Sequence, residues 1–110
     1  MGVFDFLKIP GASVDVNEAV KSLQGKCNAW LIDVREADEY SAGHIPGSIN
    51  LPVSTIETAD LPFVDKDASL YVYCLSGARS RRAVRALQSL GYTNVRNIGG
   101  INAWRGPIER

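Results

Sequence analysis

What this 110-residue chain lacks narrows its chemistry before any motif is read. It has one histidine and two cysteines, Cys27 and Cys74. That is too few for a disulfide framework, and one histidine with two cysteines cannot complete a conventional zinc site. Acidic and basic side chains balance at twelve each, so the basic excess that nucleic-acid binding draws on is missing. Aromatic–basic interleaving is missing too, and nucleic acid is not an expected partner. No apolar run approaches the ~20 residues of a membrane-crossing helix, so no transmembrane segment is expected. There is no internal repeat, low-complexity segment or linker. Apolar and charged fractions of 45% and 22% belong to an ordinary globule rather than a disordered or fibrous chain.

What is present suits one domain, since domains run to about 100–150 residues. Residues 1–110 are read as a single unit with a short N-terminal arm over 1–13. A chain of this size buries roughly two-thirds of its unfolded surface and holds a core without disulfide or metal staples. The arm, "MGVFDFLKIPGAS", has neither a positive n-region nor a long apolar h-region and is not expected to be a signal peptide. Gly2 opens no myristoylation motif, because Phe6 stands where Ser or Thr is required. The arm reads as an amphipathic segment packing back on the domain, with a membrane-surface or partner-binding role as the alternative. The default location is the cytoplasm.

Helix and strand signals alternate along the rest of the chain. "DVNEAVKSLQG" opens on Asp15 with Glu18 three residues later, a capping-box-like start. Val16, Ala19, Val20 and Leu23 keep one face apolar, and Gly25 supplies the stop. "AWLIDV" is a nearly continuous apolar run suited to a strand covered on both faces. Cys27, just ahead of it, reads as a small semi-buried side chain, the alternative being a resolving thiol for Cys74. "EADEYSAG" reads as a short helix ending at Gly43, "SINLP" as a brief strand stopped by Pro52, and "VSTIETADL" as a weaker helix. "SLYVYC" is the strongest strand signal, β-branched and aromatic throughout. The helix expected from about Ser80 to Leu90 has Ala83, Val84, Leu87 and Leu90 on one side and Arg81, Arg82, Arg85 and Gln88 on the other. Gly91 ends it. "NVRNI" is a last strand, and "GGINAWRG" turns away from it. This alternation argues for an α/β fold: a small open, mostly parallel sheet flanked by helices on both faces. In such sheets the functional crevice lies at the carboxyl ends of the strands, where Cys74 stands.

The chemistry concentrates in "YVYCLSGARS", residues 71–80. The loop Leu75, Ser76, Gly77, Ala78 is short and small, and Gly77 lets the backbone curl. A tight loop entering a helix turns successive N–H groups inward and adds the unpaired donors of the helix's first turn. The helix dipole contributes roughly half a positive charge at that end. A thiol there ionises well below its ordinary pKa of ~8.5, so no neighbouring base is required. Arg79 closes the loop, where its guanidinium can lie over the thiolate or chelate an arriving oxyanion. Ser80 can hold the loop or donate to the sulfur. Seven of the twelve bases lie from Arg79 onward and eleven of the twelve acids before residue 68, which places a local positive field near this loop. Arg81, Arg82 and Arg85 read as a solvated helix face.

The blocks "DVREADEYSAGHIPGSINLP" at 33–52, "CLSGARS" at 74–80 and "GGINAW" at 99–104 make the chain resemble a single-domain rhodanese from Asp15 to Pro107. The resemblance implies a rhodanese-like fold, a small parallel sheet between helices. It implies that Cys74 is a nucleophile carrying a sulfane sulfur as a persulfide, cradled by the backbone amides from Leu75 to Arg79. Thiosulfate or a persulfide is then the anionic donor, cyanide, a thiol or a protein the acceptor, and no cofactor or metal is needed. Asp33 and Arg35 either line the pocket or pair with each other to support it. His44, set among turns between Gly43 and Pro46, is expected to hold the fold through a hydrogen bond rather than act as a base. Trp104 is expected in the core, and Gly99 and Gly100 let backbone pass close to the active loop.

Two rivals stay open at this level. Cysteine phosphatases and arsenate reductases place five residues between cysteine and arginine; here there are four, which suits one sulfur atom and crowds a tetrahedral phosphate. A non-catalytic rhodanese-like module for binding or redox sensing is the other. Family members matched to thiosulfate often carry a basic residue soon after the cysteine, and here that position is Leu75. The resemblance therefore leaves a persulfide as the expected physiological donor.

Overall fold

Four strands build one sheet in the computed structural model, which describes residues 15–58, 61–63 and 65–110. The arm expected over 1–13 lies outside these residues. The strands are β1 (Ala29–Asp33), β2 (Ser48–Asn50), β3 (Ser69–Cys74) and β4 (Val95–Gly100). Their order is β2-β1-β3-β4, and each neighbouring pair is parallel. The chain runs outward from β1 to β2, then crosses back to β3 and outward again to β4. The strand order thus reverses between β1 and β3, and a crevice opens at the carboxyl ends of such a switch point. Asp33 pairs with Tyr73 at that edge, so the segment after β1 and the loop after β3 leave the sheet side by side.

The helices form where the apolar spacing and capping residues require. Helix α1 (Val16–Leu23) starts at Asp15, whose carboxylate accepts the Asn17 N–H at 3.0 Å. The expected box with Glu18 is not what caps it. A capping box forms instead in α2 (Ala37–Ala42), between Glu36 and Glu39. Helix α3 (Val53–Thr58) follows β2. Helix α4 (Ala78–Ser89) begins two residues ahead of the expected Ser80, because Gly77 at φ 110° already turns the chain into it. Leu90, expected on its buried side, is 46% exposed, since it caps the helix as the chain turns off at Gly91. A single 3₁₀ turn (Ile101–Ala103) follows β4.

Alternation along the strands divides the core into two layers. Leu31, Tyr71, Tyr73 and Ile98 face Val16, Ala19 and Val20 of α1. Ile32, Leu70, Val72 and Cys74 face Val53 and Ile56 of α3 and Ala83 and Leu87 of α4. Each fully buried aliphatic side chain contributes roughly 1.5–3 kcal/mol. Trp104, expected in the core, is half-buried at the margin of the α1 layer, and its Nε1 donates to the Pro107 carbonyl at 2.8 Å. Its indole N–H needs a partner near solvent, which holds it at the edge. Cys27, expected half-buried, is exposed, because it precedes β1 in the turn that links α1 to the sheet. Among the described residues no helix is long and apolar enough to cross a membrane.

Candidate active site

Strand β3 carries five consecutive buried residues to its carboxyl end, and the last of them is Cys74, 1% exposed. The loop beyond folds back over the sulfur. The Gly77 N–H donates to Cys74 Sγ at 3.0 Å, and the Ser80 hydroxyl lies 3.6 Å from it. Gly77 reaches this geometry in the left-handed region, which costs a glycine almost nothing. As the first residue before α4 it offers no side-chain cap, so the N–H groups of the first turn stay available to an anion. Burial pushes the Cys74 thiol up. The Ser80 hydroxyl and the amides of Ser80, Gly77 and Ser76 more than offset it, leaving the thiol below its ordinary value. Leu75 points outward at 47% exposure, and Ala78 is exposed as well.

One residue without any role in the sequence reading holds this loop from β4. Asn97 of β4 is buried, its amide donates to the Gly77 carbonyl at 3.1 Å, and its oxygen accepts from Ser80 at 2.7 Å and from the Gly99 N–H at 2.9 Å. It spans a register shift, where Val72 pairs with Asn97 but Cys74 pairs with Gly100. An inward-facing asparagine in a strand was the available signal, since buried polar side chains are exceptions that need partners. The Ser80 hydroxyl also faces the Gly77 carbonyl at 2.9 Å, so its one proton is contested by three acceptors. Gly100 is the second point of contact. A Cβ there would run into the Leu75 carbonyl and sit 2.6 Å from Ser76 Cα, so the loop closes over β4 only because no side chain intervenes. The close approach expected at Gly99 and Gly100 is met at Gly100.

Arg79, the first arginine of α4, is paired with a carboxylate. Its Nη1 and Nη2 donate to the two oxygens of Glu39 at 2.6 and 3.0 Å. Glu39 was the other residue without an assigned role; its only sequence signal was the Glu36–Glu39 capping spacing. The Arg79 partnership holds the Glu39 carboxyl at about 2, and Arg79 in turn is raised, by Glu39 first and also by the Cys74 charge.

Asp33 and Arg35 pair with each other at the same edge. Arg35 Nε and Nη2 donate to the Asp33 carboxylate at 3.0 and 2.7 Å, and Nη2 also reaches the Gly43 carbonyl at 2.7 Å. Both are buried, so the pair ties the end of β1 to the end of α2. His44 stacks on Tyr40 with ring centroids 3.7 Å apart, and its Nδ1 lies 2.8 Å from the Tyr40 carbonyl. Its backbone bridges to Glu109, so it holds the fold. Cys27 stands beyond the amino end of the sheet. Five residues of β3, roughly 16 Å at ~3.3 Å each, separate that end from Cys74, which rules out a disulfide within one domain. A cleft of about 250 Å³ between α1 and β4, lined by Glu18, Ser22, Tyr71 and Arg96, contains no cysteine and shares no residue with this loop.

Chemically, the loop can stabilise a thiolate and a further anionic atom attached to it, with donors already in place. Comparison with known proteins points the same way. The family model described as a rhodanese-like domain matches residues 16–107. The human thiosulfate:glutathione sulfurtransferase is 35% identical over 105 residues, 83% of this chain and 89% of that one. An adenylyltransferase and sulfurtransferase, Uba4, of Ogataea parapolymorpha is 38% identical over 96 residues, and the chain spans only 25% of that protein's length. A solved rhodanese with anions from E. coli superposes with a TM-score of 0.67 at 34% identity, covering 74% of this chain and 98% of that one. With the family model matching residues 16–107 and a 35% identical relative covered over 89% of its length, the chain belongs to the rhodanese family.

Proposed function

We propose that the protein is a sulfurtransferase that moves a sulfane sulfur through a Cys74 persulfide. The Cys74 thiolate attacks the outer sulfur of thiosulfate, a sulfur–sulfur bond forms, and the bond to the sulfonate sulfur breaks. Sulfite leaves with that electron pair. The negative charge stays on the outer sulfur of the persulfide, where the loop amides and Ser80 can receive it. Cyanide or a thiolate then attacks this sulfur and leaves as thiocyanate or a new persulfide, and the Cys74 thiolate is restored. Two displacements through a covalent enzyme predict ping-pong kinetics.

The observation that carries this reading is the buried Cys74 sulfur receiving the Gly77 N–H at 3.0 Å at the uncapped start of α4. The sulfurtransferase names of relatives that the chain covers almost end to end support it. In this reading Arg79 closes the loop, while Leu75, Ser76, Gly77, Ala78 and Ser80 form the cradle. Asp33 and Arg35 support the cradle from behind. A persulfide of a small molecule or protein is the proposed physiological donor, because no basic side chain follows Cys74 and Leu75 stands there instead. A cytoplasmic setting is proposed with it, as the default for a chain whose two cysteines are too few for a disulfide framework.

The test is intact mass after incubating reduced protein with excess thiosulfate and removing small molecules, beside Cys74→Ser. One added sulfur atom, removed by cyanide and absent from the variant, is the expected result. No addition from thiosulfate or a persulfide donor would overturn the reading.

A further inference from the structure

An arginine at the end of an anion-binding loop is normally expected to meet the substrate. Here its chelating edge is already occupied. The end-on fork of Arg79, Nη1 and Nη2 together, donates to Glu39 at 2.6 and 3.0 Å, in the bidentate geometry that an oxyanion would need. The pair is not a surface accident. Glu39 Oε1 also accepts the Glu36 N–H at 3.0 Å, so the cap of α2 sets the position of its carboxylate. A second acid adds to this field: Glu36, the exposed N-cap of α2, contributes to the negative potential at Arg79. Arg35, the nearest other cation on that segment, is committed to Asp33. On the other side of Cys74 stands exposed, uncharged Leu75.

From this geometry we propose, resting on the sulfur-transfer reading, that Glu39 is a specificity-determining residue. It withholds Arg79 from free dianionic donors and so favours sulfur donors of lower charge. A thiosulfate dianion must displace a carboxylate from Arg79 or bind at a rim whose arginine charge is already neutralised. A persulfide monoanion delivers its sulfur to the loop amides without needing the guanidinium fork. With its acid form confined to about pH 2, Glu39 stays ionised across the working range, so the discrimination does not switch with pH.

Glu39→Gln isolates the charge. The amide oxygen can still accept from the Glu36 N–H and keep α2 capped, while the ion pair with Arg79 is lost. Steady-state kinetics would be run with thiosulfate and with the persulfide of 2-mercaptoethanol, using cyanide as acceptor. The expected result is a rise of about fivefold or more in kcat/KM for thiosulfate, carried by KM, with less than a twofold change for the persulfide. Most of the gain should vanish when Arg79→Ala is added, because the freed guanidinium is its source. A thiosulfate-to-persulfide ratio that stays the same or falls in Glu39→Gln overturns the proposal, since Glu39 would then be only a support for Arg79. Wild-type protein that takes sulfur from neither donor overturns the sulfur-transfer reading itself, a separate outcome.

Discussion

The two ends of the parallel sheet carry one cysteine each, and they differ in almost every respect that governs reactivity. At the amino end, Cys27 lies exposed in a turn, on no regular element and among the described hydrogen bonds of no network. At the carboxyl end, Cys74 is buried beneath a loop whose amides and hydroxyl point at the sulfur. Exposure alone would nominate Cys27. The comparison teaches that a reactive thiol is made by fixed donors around the anion, and that parallel strands concentrate those donors at one edge. There β3 ends, α4 begins with its N–H groups unpaired, and the loop bridging them has no side-chain cap to fill the vacancy.

The sharpest way to break this contrast is to delete each sulfur in turn. Cys74→Ser should abolish sulfur loading completely, while Cys27→Ser should load to the same extent as the parent, both read by intact mass. Loading retained by Cys74→Ser and lost by Cys27→Ser would invert the assignment.

Next in size is the loop's contact with β4. Gly100→Ala should cost about 1–3 kcal/mol by overpacking, because the atoms in the way are backbone of Leu75 and Ser76 and cannot rotate aside. Denaturant midpoints should fall and loading should slow together. Stability falling with loading unchanged would mean that the loop has room to shift without consequence. Asn97→Leu attacks the same contact from the side chain. It leaves the part-buried Gly99 N–H without its partner and takes one of three donors from the Gly77 carbonyl, at about 1–3 kcal/mol for the polar group left unmet.

The pH dependence is a finer probe. Since the thiolate is the attacking species, alkylation of Cys74 by iodoacetamide should rise with pH through a midpoint below that of an ordinary thiol. Removing the Ser80 hydroxyl takes away the largest contribution that favours the anion, so Ser80→Ala should move the midpoint upward. A midpoint left in place would show that the amides alone set it.

The smallest effect is expected from the other forked arginine of α4. Arg82 pairs with Glu57 at 2.9 and 2.8 Å, much as Arg79 pairs with Glu39, but with its side chain 67% exposed and away from the loop. Arg82→Ala should leave loading rate and donor preference unchanged, and a shift in either would extend the influential field further along α4 than the geometry implies.

The nature of each element and the whole "CLSGARS" loop were legible in the chain, because they rest on local rules. Apolar periodicity marks the helices, β-branched and aromatic runs mark the strands, and Gly77 and Gly91 mark turns that need positive φ. The position of Cys74 at the carboxyl edge follows from the same rules once the sheet is parallel. Tertiary structure alone decided what those rules cannot reach. Which of two partners Asp33 and Arg35 would take, how exposed Cys27 and Leu90 are, and that Asn97 closes the loop all depend on contacts between distant segments. Above all, sequence reading gave Arg79 no acidic partner in the protein, and the fold pairs it with Glu39, forty residues away in the chain. Charge type is written in a sequence, but the partner that neutralises a charge is set by which helix ends the fold brings face to face.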